Sequence, residues 1–380
     1  MEIRALRVRV RAAVLLLGMT FVWLVFGVGI AGAQGIGVYV STDAGEAWDY
    51  LTESPPVTIL ALHSDPSLPG WIVAGTESGL WITPDAGASW VEITIDEALG
   101  APPAVFAIVD DPAVSEALWI ATDAGVYRSV DAGQSWEPAG DPGQVVVTLL
   151  AGQAPGGLVL FSGGVLGVVR SDDRGDTWTP DGEGAEGATT ALALDRDGRL
   201  LIGTTSGLYE LREGADQFSP VPGLPRGIVR GLLALDDGPV YVGIGPQFFM
   251  RQDTSWRRLG TMPLAGGGER PVITSIARSA DGRILLGSTR GLHRGEGPEL
   301  HPALETVADF EVGPVIVDRT DPTRLFLSVS DQPHATALAR AGIEFGPDIE
   351  PARDDSAALA LIVPILGGAV LAGWYLTRRR

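Results

Sequence analysis

The chain has 380 residues, no cysteine and a formal net charge of −20 at pH 7, and all 27 of its basic residues are arginine. This composition excludes disulfides, thiolate metal sites, a cysteine nucleophile, and the lysine of a Schiff base or a P-loop. Because phosphate groups would repel so acidic a chain, we predict no nucleic-acid binding.

The first predicted element is an export signal over residues 1–33. Its first eleven residues carry four arginines, residues 12–30 are apolar with one exception, and the small residues Ala31, Gly32 and Ala33 follow. This order is typical of a secretory signal peptide, with cleavage before Gln34. An uncleaved signal anchor is the alternative. Both interpretations place the residues that follow outside the cytoplasm.

A motif of the form Ser/Thr-x-Asp-x-Gly-x-x-Trp then occurs four times, at residues 41–48, 83–90, 129–136 and 171–178. The four tryptophans follow one another at intervals of 42, 46 and 42 residues. That period is expected when each repeat is a propeller blade of four short strands. The sequence therefore predicts an all-β fold of the propeller type.

The motif has the chemistry of a hairpin turn. The carboxylate can accept hydrogen bonds from backbone N–H groups of its own turn, glycine adopts positive φ at little cost, and tryptophan anchors the returning strand. We interpret all motif residues as structural rather than catalytic or metal-binding. They are Ser41, Asp43, Gly45, Trp48, Thr83, Asp85, Gly87, Trp90, Ser129, Asp131, Gly133, Trp136, Ser171, Asp173, Gly175 and Trp178.

Beyond Trp178 the motif decays, but the alternation of strands and turns continues through residues 191–204, 232–243, 273–287 and 315–329. Counting the inner strand pairs gives seven four-stranded blades within residues 34–346. We expect the partial N-terminal unit to complete the ring by pairing with C-terminal strands, which would remove open edges.

The C-terminal end is predicted to be a membrane anchor. A linker over residues 347–356 precedes an apolar transmembrane helix over 357–377, and residues 378–380 form a basic tail. Under the positive-inside rule, the three terminal arginines stay in the cytoplasm. The prediction is a single-pass protein of the cytoplasmic membrane with its propeller on the extracytoplasmic side.

The repeats resemble those of the BNR or Asp-box superfamily, which includes sialidases, sortilin-type receptors, some xyloglucanases and Ycf48-like photosystem II assembly factors. A Gly-Val-Tyr strand start, the Asp motif, and a later strand that ends in Asp-Pro most closely resemble the Ycf48-like members. The resemblance implies a non-catalytic propeller that binds and assembles other membrane or envelope proteins, with no cofactor. We predict a monomer.

A locally basic sector is the candidate partner-binding site. Between Arg251 and Arg294 there are eight arginines against three acidic residues. Guanidinium groups on the face that joins successive blades would suit an acidic partner segment, although ordinary surface solubility is an equally good explanation. The candidates are Arg226, Arg257, Arg258, Arg270 and Arg290.

A glycoside hydrolase is the alternative function. The sialidases need an arginine in the opening blade, yet residues 35–127 contain none. A xyloglucanase-like pair of carboxylates could come from Asp96, Glu97, Asp123 or Asp331, but no spacing singles out two of them. The four histidines form no metal-ligand motif. A sortilin-like peptide receptor is a third possibility, but the chain lacks the length and the cysteines of that group.

Overall fold

The computed structural model describes residues 36–343 except 141, 155, 213, 236–237, 264–269, 296–299 and 332–333, and only the backbone of 334–335. The predicted signal (1–33), linker (347–356), transmembrane helix (357–377) and tail (378–380) lie outside the described residues. Within the part that is described, no helix has the length and apolar character needed to cross a membrane.

The described residues form seven antiparallel sheets, which are the blades of a propeller. The chain begins with β1 (Gly37–Ser41) and β2 (Asp49–Tyr50), which belong to the last blade. Blade 1 contains β3 (Ile59–Ser64), β4 (Ile72–Thr76), β5 (Gly79–Thr83) and β6 (Val91–Ile93). Blade 2 contains β7 (Val105–Asp110), β8 (Leu118–Thr122), β9 (Gly125–Ser129) and β10 (Glu137–Pro138). Blade 3 contains β11 (Val146–Ala154), β12 (Gly157–Gly164), β13 (Gly167–Ser171) and β14 (Thr179–Pro180).

The second half of the chain continues the same order of strands. Blade 4 contains β15 (Thr189–Leu194), β16 (Leu200–Thr204), β17 (Leu208–Leu211) and β18 (Ser219–Pro220). Blade 5 contains β19 (Leu232–Ala234), β20 (Val240–Ile244), β21 (Gln247–Gln252) and β22 (Ser255–Thr261). Blade 6 shows β23 (Ile273–Arg278), β24 (Ile284–Ser288) and β25 (Gly291–Arg294) among its described residues. Blade 7 adds β26 (Glu311–Val317) and β27 (Leu325–Ser330), and the helix α1 (His334–Arg340) follows it. Two short 3-10 helices span Glu97–Leu99 and Glu305–Val307.

Blade 7 closes the ring by joining the two ends of the described chain. Its strand order is β2-β1-β27-β26, so the N-terminal strands pair with the C-terminal ones. The pairing of β1 with β27 runs from Gly37 opposite Val329 to Ser41 opposite Leu325. The predictions of seven blades and of this closure are confirmed. The structure differs from the predicted strand pattern at the end of the last unit, where the last described strand ends at Ser330 and the helix α1 follows.

The hydrophobic core lies between neighbouring blades. The second strand of a blade has a blade on each side, and strands such as β4, β8 and β20 are buried along their whole length. Such strands are continuous apolar runs because both of their faces are covered. One core cluster, for example, joins Trp119 of blade 2 to Val146 and Leu160 of blade 3.

Two opposite faces follow from the strand order. One side carries the links from one blade to the next and the turns between second and third strands, such as residues 94–104 and 77–78, and we call it the connecting face. The opposite side carries the turns between first and second strands and between third and fourth strands, and we call it the turn face. The four Asp motifs lie on the turn face, since each joins a third strand to a fourth.

A small residue near the end of each second strand lets the next blade approach closely. A Cβ built on Gly243 of β20 would lie 2.5 Å from the Cβ of Ile273, which begins the inner strand of blade 6. Because Ile273 is fixed in its strand, we expect Gly243→Ala to cost about 1–3 kcal/mol in the free energy of unfolding. Urea unfolding of the purified protein measures this cost.

Blade 2 supplies the control for that substitution. At the equivalent position of β8 it carries Ala121, which pairs with Val126 as Gly243 pairs with Phe248. We expect Ala121→Gly to cost about 1 kcal/mol, because it adds backbone freedom without creating a clash. A Gly243→Ala variant as stable as the parent protein would show that blades 5 and 6 can separate freely.

Candidate functional site

The four Asp motifs form turns with one shared hydrogen-bond pattern. The Ser or Thr hydroxyl donates to the Asp Oδ1 atom at 2.7–2.8 Å and accepts from the glycine N–H at 2.8–2.9 Å. The same carboxylate accepts the N–H of the residue four positions later at 2.8–2.9 Å. Each of these acids is thus engaged within its own turn.

The backbone of these turns is left-handed at two successive residues. In the first turn Ala44 has φ 61° and Gly45 has φ 91°. The Ala44 N–H donates to the Thr323 carbonyl at 2.8 Å, which ties the motif to the neighbouring turn of its own blade. A Cβ on Gly45 would lie 2.8 Å from Leu285 of blade 6, so this glycine also permits blade-to-blade contact.

The motif tryptophans are half-buried and pack against the core clusters between blades. Trp136 packs with Ile82 and Leu118, and Trp178 packs in the cluster between blades 2 and 3. The Trp136 Nε1 donates to the Gly133 carbonyl at 2.9 Å, inside the same turn. Together the motif residues stabilise turns and blade contacts on the turn face.

Acid titration of one motif turn is testable. The Thr177 hydroxyl and N–H donate to Asp173, at 2.6 and 2.9 Å, and they lower its pKa from 3.8 to about 2. A lowered pKa contributes stability above the unfolded value, and that contribution disappears as pH falls from about 4 to about 2. We therefore expect Asp173→Asn to reduce the change in the free energy of unfolding between pH 4 and pH 2. Urea unfolding at a series of pH values from 2 to 7 measures this change, and Thr177→Val should give a change between those of the parent and Asp173→Asn.

Three of the five candidate arginines lie on the connecting face of blades 4 to 6. Arg226 is in the link from β18 to β19, Arg270 is in the link from β22 to β23, and Arg290 is in the turn between β24 and β25. The Arg226 guanidinium pairs with Glu186 at 2.6 Å, and both side chains are largely exposed, at 75% and 58%. This arc of basic residues is therefore open to solvent at Arg226 and Arg270.

The other two candidates lie elsewhere. Arg257 and Arg258 are exposed on β22, the outer strand of blade 5, opposite Met250 and Phe249. They stand two and three residues after the start of β22, nearer to the turn face than to the connecting face. The structure thus divides the predicted arginine group into a connecting-face arc and an outer-strand pair.

A buried ion pair at the end of the central channel was missed from the sequence. Arg230 Nη2 lies 2.9 Å from Glu311 Oε1, with side chains only 10% and 4% exposed. Arg230 precedes the inner strand of blade 5, and Glu311 begins that of blade 7. Since the inner strands line the propeller channel, the pair spans the edge of blade 6 at the connecting-face end. No motif marks either residue.

The second feature missed from the sequence is the segment after β27. Ala341 and Ile343 are buried together with Val147, which lies near the start of the inner strand of blade 3. Half-buried apolar side chains complete the cluster, namely Phe106 of blade 2, Val145 of blade 3, Ala188 of blade 4 and Leu338 of α1. The chain thus crosses from blade 7 to blades 2, 3 and 4 at the channel mouth.

An acidic groove of about 260 Å³ lies between blade 1 and its link to blade 2, and its lining includes Glu92, Asp96 and Glu97. Nearby Asp123 accepts the Ala104 N–H at 3.0 Å, and burial raises the pKa of its carboxyl. Asp331 follows β27 at the connecting-face end of blade 7 and does not line this groove. Among residues 36–343 as described, no group of three or more histidines and acids is arranged to hold a metal ion.

The architecture defines the class of protein as a seven-bladed β-propeller. No protein-family model and no curated protein matches the chain. Among solved structures, Ycf48 bound to a D1 peptide is 17% identical with a TM-score of 0.55, covering 72% of this chain and 94% of that one. Ycf48 from Cyanidioschyzon merolae is 11% identical with a TM-score of 0.54, covering 73% and 97%.

The fold is shared with glycoside hydrolases as well. The GH74 xyloglucanase from Xanthomonas campestris is 20% identical with a TM-score of 0.56, covering 74% of this chain and 52% of that one. The predicted resemblance to this group of propellers is confirmed at the level of fold. Because one propeller fold serves many activities, the function must be argued from the site.

Proposed function

We propose that the protein is a non-catalytic, membrane-anchored scaffold that binds and helps assemble other membrane or envelope proteins outside the cytoplasm. The observation that carries the proposal is the occupied channel mouth. Apolar side chains around Ile343 fill one side of it, and the Arg230–Glu311 pair spans the other. An apolar plug and a paired carboxylate suit a docking surface better than a hydrolytic cleft, which needs two carboxylates facing a sugar.

Two further points support this proposal. A propeller of the same fold is known in complex with a D1 peptide, which supports peptide binding as an activity of this propeller. The predicted helix over residues 357–377 would hold the propeller near membrane partners and raise its effective concentration toward them. The arginine arc on blades 4 to 6 would contact acidic groups of such a partner through bidentate hydrogen bonds.

Affinity capture from solubilised membranes tests the proposal. The triple variant Arg226→Glu, Arg270→Glu and Arg290→Glu reverses charge on the connecting face, and we expect it to lose the partner identified with the parent protein. The matched control reverses Arg196, Arg257 and Arg258, which lie on the turn face and the outer strand. Equal recovery with parent and both variants would contradict arginine docking, and equal loss with both variants would indicate an effect of net charge alone.

The acidic groove favours a second candidate function, glycoside hydrolysis. Asp96 and Glu97 line the groove, and nearby Asp123 has a raised pKa, which a general acid needs. Incubation with xyloglucan and fluorogenic glycosides separates the two functions. Turnover by the parent protein that disappears in Asp123→Asn would overturn the scaffold proposal. An absence of turnover with every substrate of the panel would contradict the glycoside hydrolase function.

A further inference from the structure

The segment over residues 334–343, which we call the C-terminal arm, is not needed to complete the propeller. All seven sheets, including the closing pairs between β1 and β27, are formed by residues that precede it. Its described backbone hydrogen bonds beyond those of α1 are internal, from the N–H groups of Ala341, Gly342 and Ile343 to the carbonyls of Ala337, Ala339 and Leu338. Side-chain contacts therefore hold the arm to the blades.

The site that receives the arm, which we call the mouth pocket, is apolar. It is formed by Phe106, Val145, Val147 and Ala188, at the connecting-face ends of the inner strands of blades 2, 3 and 4. From the arm, Leu338, Ala341 and Ile343 pack against these residues. Ile343 is completely buried there. The arm thus presents apolar residues at intervals of three and two positions to a fixed apolar surface.

One carboxylate borders the mouth pocket. Arg340 Nη1 of the arm lies 3.6 Å from Glu77 Oε2, in the turn between β4 and β5. Both groups keep contact with solvent, so this pair adds orientation more than affinity. The pocket consequently accepts a segment in which a basic residue stands between two apolar ones, as in Leu338-Ala339-Arg340-Ala341-Gly342-Ile343.

The arm is suited to exchange. It buries few large side chains, only one of which is an isoleucine or leucine that is completely covered. The burial of these side chains favours docking, whereas ordering a ten-residue segment costs conformational entropy of its backbone. The blades, in contrast, are held by paired strands in addition to their cores. The arm is therefore attached less firmly than a strand of a blade.

We propose that the mouth pocket is a peptide-binding site of this propeller, occupied in cis by the C-terminal arm until a partner segment of the same chemistry displaces it. The inference rests on the proposed binding function and names a second surface for it. The arginine arc selects acidic groups, whereas the mouth pocket selects a short segment with two or three apolar residues around one basic residue. A partner that contacts both surfaces would present acidic groups to the arginine arc and a basic residue to the mouth pocket.

The test uses the full chain in detergent and a fluorescent peptide with the sequence of residues 334–343. We expect the peptide to bind the Ile343→Asp protein at least ten-fold more tightly than the parent, because the weakened arm no longer competes. A peptide with aspartate in place of its final isoleucine should not bind, and Glu77→Gln combined with Ile343→Asp should weaken binding by less than about five-fold, because the Arg340–Glu77 pair is exposed to solvent. Equal affinity of the peptide for parent and Ile343→Asp protein would overturn the proposal.

Hydrogen exchange of the unmodified protein gives an independent readout. We expect the amides of Ala341, Gly342 and Ile343 to exchange at least a hundred-fold faster than those of β27. Protection of the arm equal to that of β27 would show that it is an integral part of the fold, which would also overturn the proposal.

The outcomes separate this inference from the proposed function. The Arg226, Arg270 and Arg290 reversals should leave peptide binding unchanged, since none of these residues belongs to the mouth pocket. Peptide binding without partner capture would contradict only the scaffold function. Partner capture that depends on the arginines, without peptide binding, would contradict only the mouth pocket.

Discussion

Trp119→Ala will lower the free energy of unfolding by about 3–5 kcal/mol, as expected for the loss of a fully buried tryptophan. Trp119 is 1% exposed at the start of β8 and belongs to the core cluster between blades 2 and 3. Its Nε1 donates to the Arg174 carbonyl, 3.0 Å away in the motif turn of blade 3. Equilibrium unfolding in urea, followed by circular dichroism, measures the loss.

The neighbourhood of Trp119 explains why the effect exceeds that of a simple cavity. The Arg174 guanidinium lies over the indole ring at 5.3 Å and donates to Asp111 Oδ2 at 2.8 Å. The Asp111 side chain is 1% exposed and also accepts the N–H groups of Ala113 and Val114, so a displaced Arg174 would remove the counter-charge of a buried carboxylate. Removing the indole therefore disturbs a blade contact, a cation–π contact and an ion pair together.

Two matched variants divide these contributions. Trp119→Phe keeps most of the buried ring but loses the Nε1 donor, so we expect a loss of about 1–2 kcal/mol. Trp71→Ala removes a tryptophan of blade 1 that makes a similar contact with the next blade, since its Nε1 donates to the Ala132 carbonyl at 3.0 Å, but that is only half-buried. A Trp71→Ala loss as large as that of Trp119→Ala would show that burial and the Arg174 contacts add nothing.

The blades could be predicted because their signals are local. Each motif turn uses a serine or threonine, an aspartate and a glycine within eight residues, and the hydrogen bonds of its Ser or Thr hydroxyl and its carboxylate form within that window. Where the motif is absent, continuous runs of mostly apolar residues still mark strands such as β16 and β20. The number of blades then follows from counting the inner strand pairs.

The candidate site could be predicted only in part, because its parts meet through the ring. Arg230 and Glu311 are 81 residues apart in sequence, and nothing local connects them. The C-terminal arm is too short for a reliable helical period, and its neighbours belong to blades 2, 3 and 4. The position of a group across the channel is a property of the closed fold.

Arg257 and Arg258 show a third reason why the sequence was insufficient. The outer strand β22 has seven residues, whereas the outer strand β6 has three and β10 has two. The first two residues after the tryptophan position belong to the outer strand even where that strand is short, as Glu137 and Pro138 do in β10. In blade 5 the strand continues through Arg257 and Arg258 and keeps them on the outer edge. Strand length at an exposed edge has no apolar pattern to reveal it.

The channel mouth combines an exchangeable side with a fixed one. The C-terminal arm covers the ends of blades 2, 3 and 4, and the ion pair spans blades 5 to 7. Because the ion pair is buried, its loss should affect the ring itself, whereas loss of the arm should leave the ring intact. This difference separates the two sides experimentally.

Arg230→Met will lower the free energy of unfolding by about 3–5 kcal/mol, because it removes the Arg230 guanidinium from a carboxylate that is only 4% exposed. The double variant Arg230→Met, Glu311→Gln should recover most of that loss, since it also removes the buried negative charge. Arg226→Met is the control, because its pair with Glu186 is largely exposed and is worth less than about 1 kcal/mol. Urea unfolding of the four proteins completes the comparison. An Arg230→Met loss no larger than that of Arg226→Met would mean that water reaches the pair, and the channel mouth would then be open on this side.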